Sequence, residues 1–211
     1  MSYYKDEFKR EEKPVENEKI IDLALKLYAK KGVEATSFRE IARHAGVGAS
    51  LLSYRFGSKK GLASAVISSR ILKKTNELGL VLTEAESCED FENKLMTALE
   101  SLVGQRFKNP DETAVIDELL RDPELLKSGH PVAEQLKNAY SQLELFFEKA
   151  IHKGYVKGFL SVKTLSFMVA SMVRDSAYNH ECNLRLLNIN NASIDTRKAI
   201  FESFVRLISN G

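Results

Sequence analysis

The stretch TSFREIARHAGVGASLLSYRFGSKKGL, residues 36–62, decides the fold of the N-terminal part of this chain. Two short helical patterns flank a tight turn at Gly46. Ser37 and Glu40 have capping-box spacing, in which the hydroxyl accepts from the amide three residues on and the carboxylate reaches back. We therefore expect a helix that begins at Ser37 and ends at Gly46, because glycine readily takes the left-handed conformation that terminates helices.

A second short helix is predicted from Gly48 to about Phe56. Leu52 and Phe56 lie one turn apart and should face inward. Two helices joined by such a turn form a helix-turn-helix, whose second helix typically enters the major groove of DNA. The residues expected on its outer face, as candidates to read base edges, are Ala49, Ser50, Ser53 and Tyr54.

Helices are also predicted on both sides of this pair. Residues 18–31 carry apolar side chains at the spacing of a one-sided stripe and stop at Gly32. Ser58 is a plausible N-cap for a long helix over residues 59–81, which would link two parts of the chain. The first three helices are enough to close a small core.

This pattern resembles the DNA-binding domain of the TetR family of transcriptional regulators over roughly Glu18 to Val66. The positions at the family's spacing are Thr36-Ser37, Ile41-Ala42, Ala45-Gly46-Val47, Leu52, Phe56, Lys59 and Leu62. The chain departs from the family at Gly48, where Ser is usual, at Ser53, where Tyr is usual, and at Arg55, where His is usual. Tyr54 can compensate for the missing Tyr, and Arg55 adds a permanent charge suited to phosphate.

The resemblance implies an all-α fold with an N-terminal three-helix helix-turn-helix domain and a larger C-terminal helical domain for ligand binding and dimerisation. The expected domains are a flexible arm over residues 1–16, a DNA-binding domain over 17–63 and an effector-binding and dimerisation domain over 64–211. Beyond Leu82 the pattern stays helical, and a break is expected near Pro123. The helices predicted there span residues 89–107, 111–127, 132–153, 162–181 and 194–209.

The charge is distributed unevenly along the chain. Residues 17–75 hold twelve Lys or Arg against four Asp or Glu, a net charge of +8, whereas residues 81–211 hold fifteen against nineteen, a net charge of −4. The overall charge of +2 thus hides a basic N-terminal part and an acidic body. Such asymmetry fits a protein that meets phosphate at one end.

Candidate DNA contacts follow from the helix-turn-helix. Arg55, Tyr54, Lys59 and the segment 36–39 are expected at phosphates, and the recognition helix is expected at base edges. None of the outer residues supplies the bidentate code of Arg for guanine, so specificity can rest on DNA shape or on water. The full predicted set is Thr36, Ser37, Arg39, Gly48, Ala49, Ser50, Leu51, Ser53, Tyr54, Arg55 and Lys59.

The last two predicted helices are apolar around most of their circumference and need burial on both sides. A two-fold four-helix interface is the economical solution, and the family resemblance implies the same. The predicted dimer residues are Phe167, Ala170, Val173, Ala177, Phe201, Phe204, Val205 and Ile208. A monomer that buries both helices internally remains the alternative.

The resemblance also implies an effector cavity between the middle helices. The apolar residues expected to line it are Leu95, Leu99, Phe107, Leu119, Leu136, Tyr140, Leu143, Phe146 and Phe147. Polar residues that can orient a ligand are Gln105, Arg106, Gln142, His130 and Asn179, although their spacing identifies no particular ligand.

No catalytic constellation and no phosphate-binding glycine loop is readable in the sequence, and neither an enzyme nor a cofactor is expected. A metal is not expected, because His180 and Cys182 would point about 200° apart on a helix. The two cysteines are expected to be reduced. No apolar run is long enough to cross a bilayer and no signal peptide is apparent, so the cytoplasm is the default location.

The sequence thus predicts a dimeric transcriptional regulator, a repressor rather than an activator. It is expected to bind a pseudo-palindromic double-stranded DNA operator and to be released from it by a small-molecule effector. A dimer would place its recognition helices in major grooves about 34–36 Å apart. Two alternatives remain open. One is a DNA-anchored protein-interaction factor without a small-molecule ligand, and the other is a helical enzyme that keeps this N-terminal domain.

Overall fold

The computed structural model describes the backbone of residues 14–211 and the side chains of this range except those of residues 14–16, 177 and 178. Of the predicted flexible arm, residues 1–13 lie outside the described part. The described chain is all-α apart from an isolated bridge between Val156 and Ser209. It divides into two compact units, one ending at Val66 and one beginning at Ile67.

The N-terminal unit is built by three short helices and the start of a fourth, namely α1 Pro14–Lys31, α2 Phe38–Ala45, α3 Ala49–Phe56 and α4 Lys59–Val81. Helix α1 begins four residues before the predicted start, since proline is tolerated in the first turn of a helix. Helix α1 packs on α2, and α2 packs on α3. The fully buried side chains at the centre of this unit are Leu25, Tyr28, Ile41, Leu52 and Leu62.

The predicted capping box at the start of α2 is half correct. Ser37 Oγ accepts a hydrogen bond from the amide of Glu40 at 3.2 Å, as expected. The carboxylate of Glu40 pairs with Lys31 at the end of α1, and this hydrogen bond lowers the pKa of Glu40. The glutamate therefore ties α2 to α1, because Lys31 supplies a charged donor.

The C-terminal unit continues from α4 into α5 Cys88–Lys108, α6 Pro110–Leu119, a short 3₁₀ helix Pro123–Leu126, α7 Pro131–His152, α8 Val162–Tyr178, α9 His180–Leu187 and α10 Ile194–Ile208. The break near Pro123 is confirmed. The prediction of one helix over residues 162–181 was wrong, because α8 ends at Tyr178 and α9 begins at His180, with Asn179 between them.

Helix α5 is central to the C-terminal unit, since it packs on α8 and on α10, while α7 packs on α8. The rings of Phe91 and Phe146 stack at 5.2 Å between centroids, and Phe147 meets Phe91 edge-on at 6.2 Å. Phe201 of α10 is buried in the same cluster. Aromatic packing of this kind adds to the free energy gained from burial.

A buried arginine joins α10 to α5. Arg197 is almost fully buried and donates from Nε to Glu100 Oε2 at 3.0 Å. Its Nη1 donates to the carbonyl oxygens of Asn191 and Ala192. The guanidinium also lies 5.4 Å from the centre of the Phe107 ring. These partners compensate the positive charge of Arg197 in the protein interior, where an unpaired cation would be strongly destabilising.

Candidate nucleic-acid interface and internal cavity

The turn between α2 and α3 is held by backbone geometry that only a few residues adopt easily. Gly46 has φ +68°, in the left-handed region, and the amide of Val47 donates to the carbonyl of Ala42 at 3.0 Å. Such bonds satisfy the last carbonyls of α2 and reverse the chain within a few residues. Helix α3 then begins directly at Ala49, after the N-cap Gly48.

Helix α3 has one buried side and one exposed side. Leu52 is fully buried, whereas Ser50 and Ser53 are exposed and Tyr54 is 85% exposed. Among the described residues, Tyr54 has the largest exposed fraction of any large apolar or aromatic side chain. The outer side of α3 therefore offers two hydroxyls and one phenol to a partner surface.

Three of the predicted DNA contacts are less available than the sequence suggested. Thr36 is fully buried, and its hydroxyl donates to the carbonyl oxygen of Gly32 at 2.8 Å. Leu51 was expected to be exposed but is partly buried. Ser37 is exposed, but its Oγ is occupied as the cap of α2.

Arg55 and Lys59 both contact neighbouring residues of the N-terminal unit. Arg55 Nη1 donates to Asn17 Oδ1 at 3.0 Å. Lys59 Nζ donates to the carbonyl oxygen of Glu34 at 2.8 Å and lies 3.5 Å from the Glu34 carboxylate. Both cations are partly buried and held in place, so each would have to share its charge between these partners and a phosphate.

Helix α2 presents a basic edge that sequence reasoning identified only in part. Arg39 and Arg43 are both exposed, and their spacing of four residues places them on one face of the helix. Arg39 was predicted as a DNA contact and Arg43 was missed. The i, i+4 spacing of the two arginines is the signal that could have identified Arg43.

A cavity of about 820 Å³ lies within the C-terminal unit. Leucine is the commonest residue of its wall, which is built from the ends of α4 and α6, from α5, the 3₁₀ helix and α7, and from α8. This volume falls in the range of small-molecule sites in proteins. Of the predicted lining residues, those found in the wall are Leu95, Leu99, Arg106, Leu136, Tyr140, Leu143 and Asn179.

Other predicted lining residues are placed elsewhere. Phe107 packs edge-on against the His180 ring at 5.2 Å, and Phe146 and Phe147 belong to the aromatic core. Leu119 is buried away from the cavity wall, where the next residue, Leu120, takes part. The polar candidates absent from the wall are Gln105, Gln142 and His130, the last of which caps α7.

Sequence reasoning missed the part of the wall that comes from α4 and α8. Leu78 of α4 and Leu82, which directly follows this helix, both line the cavity. Ala170 and Val173 of α8, which were predicted at the dimer interface, line it as well. The predicted wall was confined to the middle helices, because periodicity identifies an apolar face but not its partner.

The predicted dimer residues of α10 are also corrected. The side chains of α10 that turn toward α5 are buried in the core of this chain and leave no surface for a second copy: Phe201, Phe204, Val205 and Ile208. Phe167 of α8 is 64% exposed, and Leu207 and Ile194 are the exposed large apolar side chains of α10. The side chain of Ala177 lies outside the described residues.

Among the described residues, no three His, Cys, Asp or Glu side chains come together as metal ligands. Cys88 is partly buried and Cys182 is exposed, and both are free thiols. In the same part of the chain, no helix has the length and apolar content needed to cross a membrane.

Comparison with known proteins agrees with this geometry. Residues 20–66 match the model of the family described as bacterial regulatory proteins, tetR family. This range contains the two packed helices α2 and α3 and ends where the N-terminal unit ends. No curated protein sequence is significantly similar to the chain.

Solved structures share the fold over nearly the whole chain. A putative TetR-family regulator from Mesorhizobium loti is 19% identical, with a TM-score of 0.67 over 94% of this chain and 100% of that one. FadR from Bacillus subtilis, crystallised with stearoyl-CoA, is 18% identical, with a TM-score of 0.70 over 92% and 98%. Reduced NemR from E. coli is 10% identical, with a TM-score of 0.69 over 93% and 99%.

The family model therefore accounts for the helix-turn-helix, and the solved structures share the architecture of both units. Residues 20–66 form a helix-turn-helix domain similar to that of the bacterial TetR-family regulators.

Proposed function

We propose that this protein is a dimeric regulator that binds a pseudo-palindromic DNA operator through α3 and releases it when a small molecule occupies the cavity of the C-terminal unit. The observation that carries the proposal is the combination of an exposed Tyr54 on α3 with a leucine-lined cavity of about 820 Å³. One feature supplies a surface for DNA, and the other supplies a place for an effector.

On the DNA side, the proposal divides the contacts by chemistry. Arg39, Arg43 and Lys59 would hold phosphates, which fixes the register but reads no sequence. Ser50, Ser53 and Tyr54 would approach base edges. The N-cap Gly48 makes no side-chain bond to the start of α3, so the first amides of this helix remain available to a phosphate.

On the ligand side, α4 provides the connection. Leu78 and Leu82 line the cavity, and α4 begins at Lys59, three residues after α3 ends. A ligand that moves these leucines acts on the helix that directly follows the recognition helix. To turn a fully bound population into a free one, the ligand must favour the released form by roughly 10⁴, or about 5.5 kcal/mol.

The proposed site of action is the cytoplasm, where a bacterial regulator meets its DNA. In this proposal the operator-bound protein blocks transcription, and the ligand restores transcription by releasing the operator. The proposed role is therefore repression. The protein-interaction alternative is less favoured, since it was expected for a C-terminal unit without a cavity.

The test is a selection of DNA bound by the purified protein from fragmented genomic DNA of its source at moderate salt. We expect the wild type to enrich a site with two-fold symmetry. The variant Tyr54→Ala should lose at least about tenfold in affinity for that site, which corresponds to about 1.4 kcal/mol of lost contact.

Phe159→Ala is the matched control, because Phe159 is also an exposed aromatic residue but lies in the C-terminal unit. It should bind the selected site as the wild type does. Failure of the wild type to enrich any symmetric site, or equal operator affinity of Tyr54→Ala, would contradict the proposed DNA interface.

A further inference from the structure

The wall of the cavity changes from apolar to polar along two of its helices. On α5 the lining residues run from Leu95 through Leu99 to Arg106, a distance of about 16 Å at the rise of an α-helix. On α8 they run from Val169, Ala170 and Val173, with Ser171 among them, to Arg174 and Asp175, and Asn179 follows the end of the helix. Both helices therefore contribute an apolar stretch that is followed by a polar one.

The polar stretches of α5 and α8 lie at the same end of the cavity. Phe107, which follows Arg106, contacts the ring of His180, which follows Asn179, with 5.2 Å between the ring centres. Arg106 Nη2 also donates to Asp117 of α6 at 2.6 Å, and Asp117 lines the cavity too. Residues from α5, α6 and the end of α8 thus bring polar groups together, and most of the remaining wall is aliphatic.

At the polar end of the cavity, a buried hydrogen-bond donor lacks an acceptor among the described residues. The Nε of Arg106 is buried and has no hydrogen-bond partner among the described residues, although the same guanidinium pairs with Asp117. A buried donor without an acceptor costs free energy that a ligand oxygen would recover. An anionic oxygen is the best acceptor for a guanidinium.

The remaining charges at this end also favour an anion. The carboxylate of Asp175 already accepts from the side-chain amides of Asn179 and Asn183. Arg174 lies 3.5 Å from Ser171 Oγ and makes no ion pair within the described residues. The acids are thus engaged, while Arg106 and Arg174 both keep donors for a ligand.

We infer that this cavity binds an amphiphile, an acyl chain that ends in an anionic group, with the chain along the leucines and the anion at Arg106 and Arg174. The inference rests on the proposed ligand response and specifies its effector class. An alcohol of the same shape would leave Arg106 Nε without a strong acceptor. An alkyl cation would lie beside the guanidinium groups of Arg106 and Arg174, and the nearby carboxylates of Asp117 and Asp175 already have partners, so we expect it to bind less well than the anion.

The experiment measures direct binding to the purified full-length protein by calorimetry, with dodecanoate, dodecanol and dodecylamine below their micelle concentrations. The three probes share one chain and differ in the charge of the head group. We expect dodecanoate to bind about tenfold or more tightly than the other two, since a charge-assisted hydrogen bond is stronger than a neutral one. Dodecanoyl-CoA, measured in parallel, distinguishes an acyl thioester from a free acid as the source of the anion.

Two variants test the assigned residues. Arg106→Lys keeps a cation beside Asp117 but lacks the Nε donor, and Arg174→Gln removes an exposed charge that forms no ion pair with the side chains that the structure describes. Each variant should bind dodecanoate about fivefold or more weakly than the wild type and bind dodecanol with nearly unchanged affinity. Arg185→Gln is the control, because Arg185 is an exposed arginine of α9 that pairs with Glu181 and does not line the cavity.

Equal affinity for dodecanoate and dodecanol, or an unchanged preference in both variants, would overturn the inference. Operator release is read separately on the selected DNA. If dodecanoate binds but the DNA stays bound, the anion site stands and the proposed ligand response fails. If another class of compound releases the DNA while no acyl anion binds, the proposed function stands and this inference fails.

Discussion

At the scale of single residues, burial of one phenol without a hydrogen-bond partner is a cost that the fold tolerates. Tyr28 of α1 is buried, and its hydroxyl has no acceptor or donor among the described residues. Burial raises the pKa of Tyr28 to about 12, because the phenolate would have to be desolvated. The ring itself packs in the centre of the N-terminal unit.

We expect Tyr28→Phe to leave the free energy of unfolding unchanged or to raise it by up to about 1 kcal/mol, since the change removes an unpaired buried hydroxyl and keeps the ring. Urea denaturation at pH 7 measures this. A loss of more than about 1 kcal/mol would mean that the hydroxyl has a partner.

The same pair of proteins gives a pH test with a defined sign. The folded-state pKa of Tyr28 lies above the unfolded value of 10.0, so the folded protein keeps a proton that the unfolded chain loses. This contribution to stability is complete below pH 10 and is lost as the pH rises toward 12. Wild type should therefore lose stability more steeply than Tyr28→Phe between pH 10 and pH 12, and parallel curves would contradict the raised pKa.

At the scale of elements, the start of α3 shows what a departure from the family pattern does. Gly48 has φ −72° and ψ 144°, a conformation open to any residue, and a Cβ there would contact only Ser50 Oγ at 3.4 Å. A serine at this N-cap could accept a hydrogen bond from the first turn of α3. Glycine therefore leaves this short helix without a side-chain cap.

We expect Gly48→Ser to raise the free energy of unfolding by a few tenths of 1 kcal/mol, the usual difference between these residues at an N-cap. Gly46→Ser is the matched contrast, because Gly46 has φ +68° and a side chain there is strained by about 1 kcal/mol or more. Thermal denaturation of the wild type and the two variants measures these differences in stability. A Gly48→Ser variant as unstable as Gly46→Ser would show that the cap position demands glycine.

At the scale of the whole molecule, exposed apolar side chains indicate where a second copy can bind. The sequence placed the dimer interface on both of the last long helices, but α10 buries most of its apolar residues against α5. Phe167 of α8 and Leu207 of α10 remain exposed. We propose that the dimer surface uses these exposed positions.

The variant Phe167→Arg should convert the proposed dimer to a monomer, since a buried unpaired charge at an interface costs several kcal/mol. Light scattering after size-exclusion chromatography measures the mass, and operator affinity should fall in parallel. Leu80→Arg is the control, because Leu80 is an exposed leucine on a different helix, α4, and this variant should keep the mass of the dimer. A variant that keeps the wild-type mass, or a wild type that is monomeric, would contradict the proposal.

Local interactions explain why so much of the architecture could be predicted from the sequence. The cap at Ser37, the left-handed Gly46, the burial of Leu52 and the long helix from Lys59 to Val81 all follow from the properties of residues within a few positions. The spacing of these residues also predicted the resemblance to the TetR family, and the family model matches residues 20–66.

What only the tertiary structure decided is which surface each helix face meets. Ala170 and Val173 have the spacing of an interface, yet they line a cavity, and Phe201 has the same character but fills the core. Thr36 was predicted to contact a DNA phosphate, but it is buried, and its hydroxyl donates to a carbonyl oxygen of α1. Periodicity specifies that a face will be covered, whereas packing between distant segments determines whether core, ligand or partner covers it.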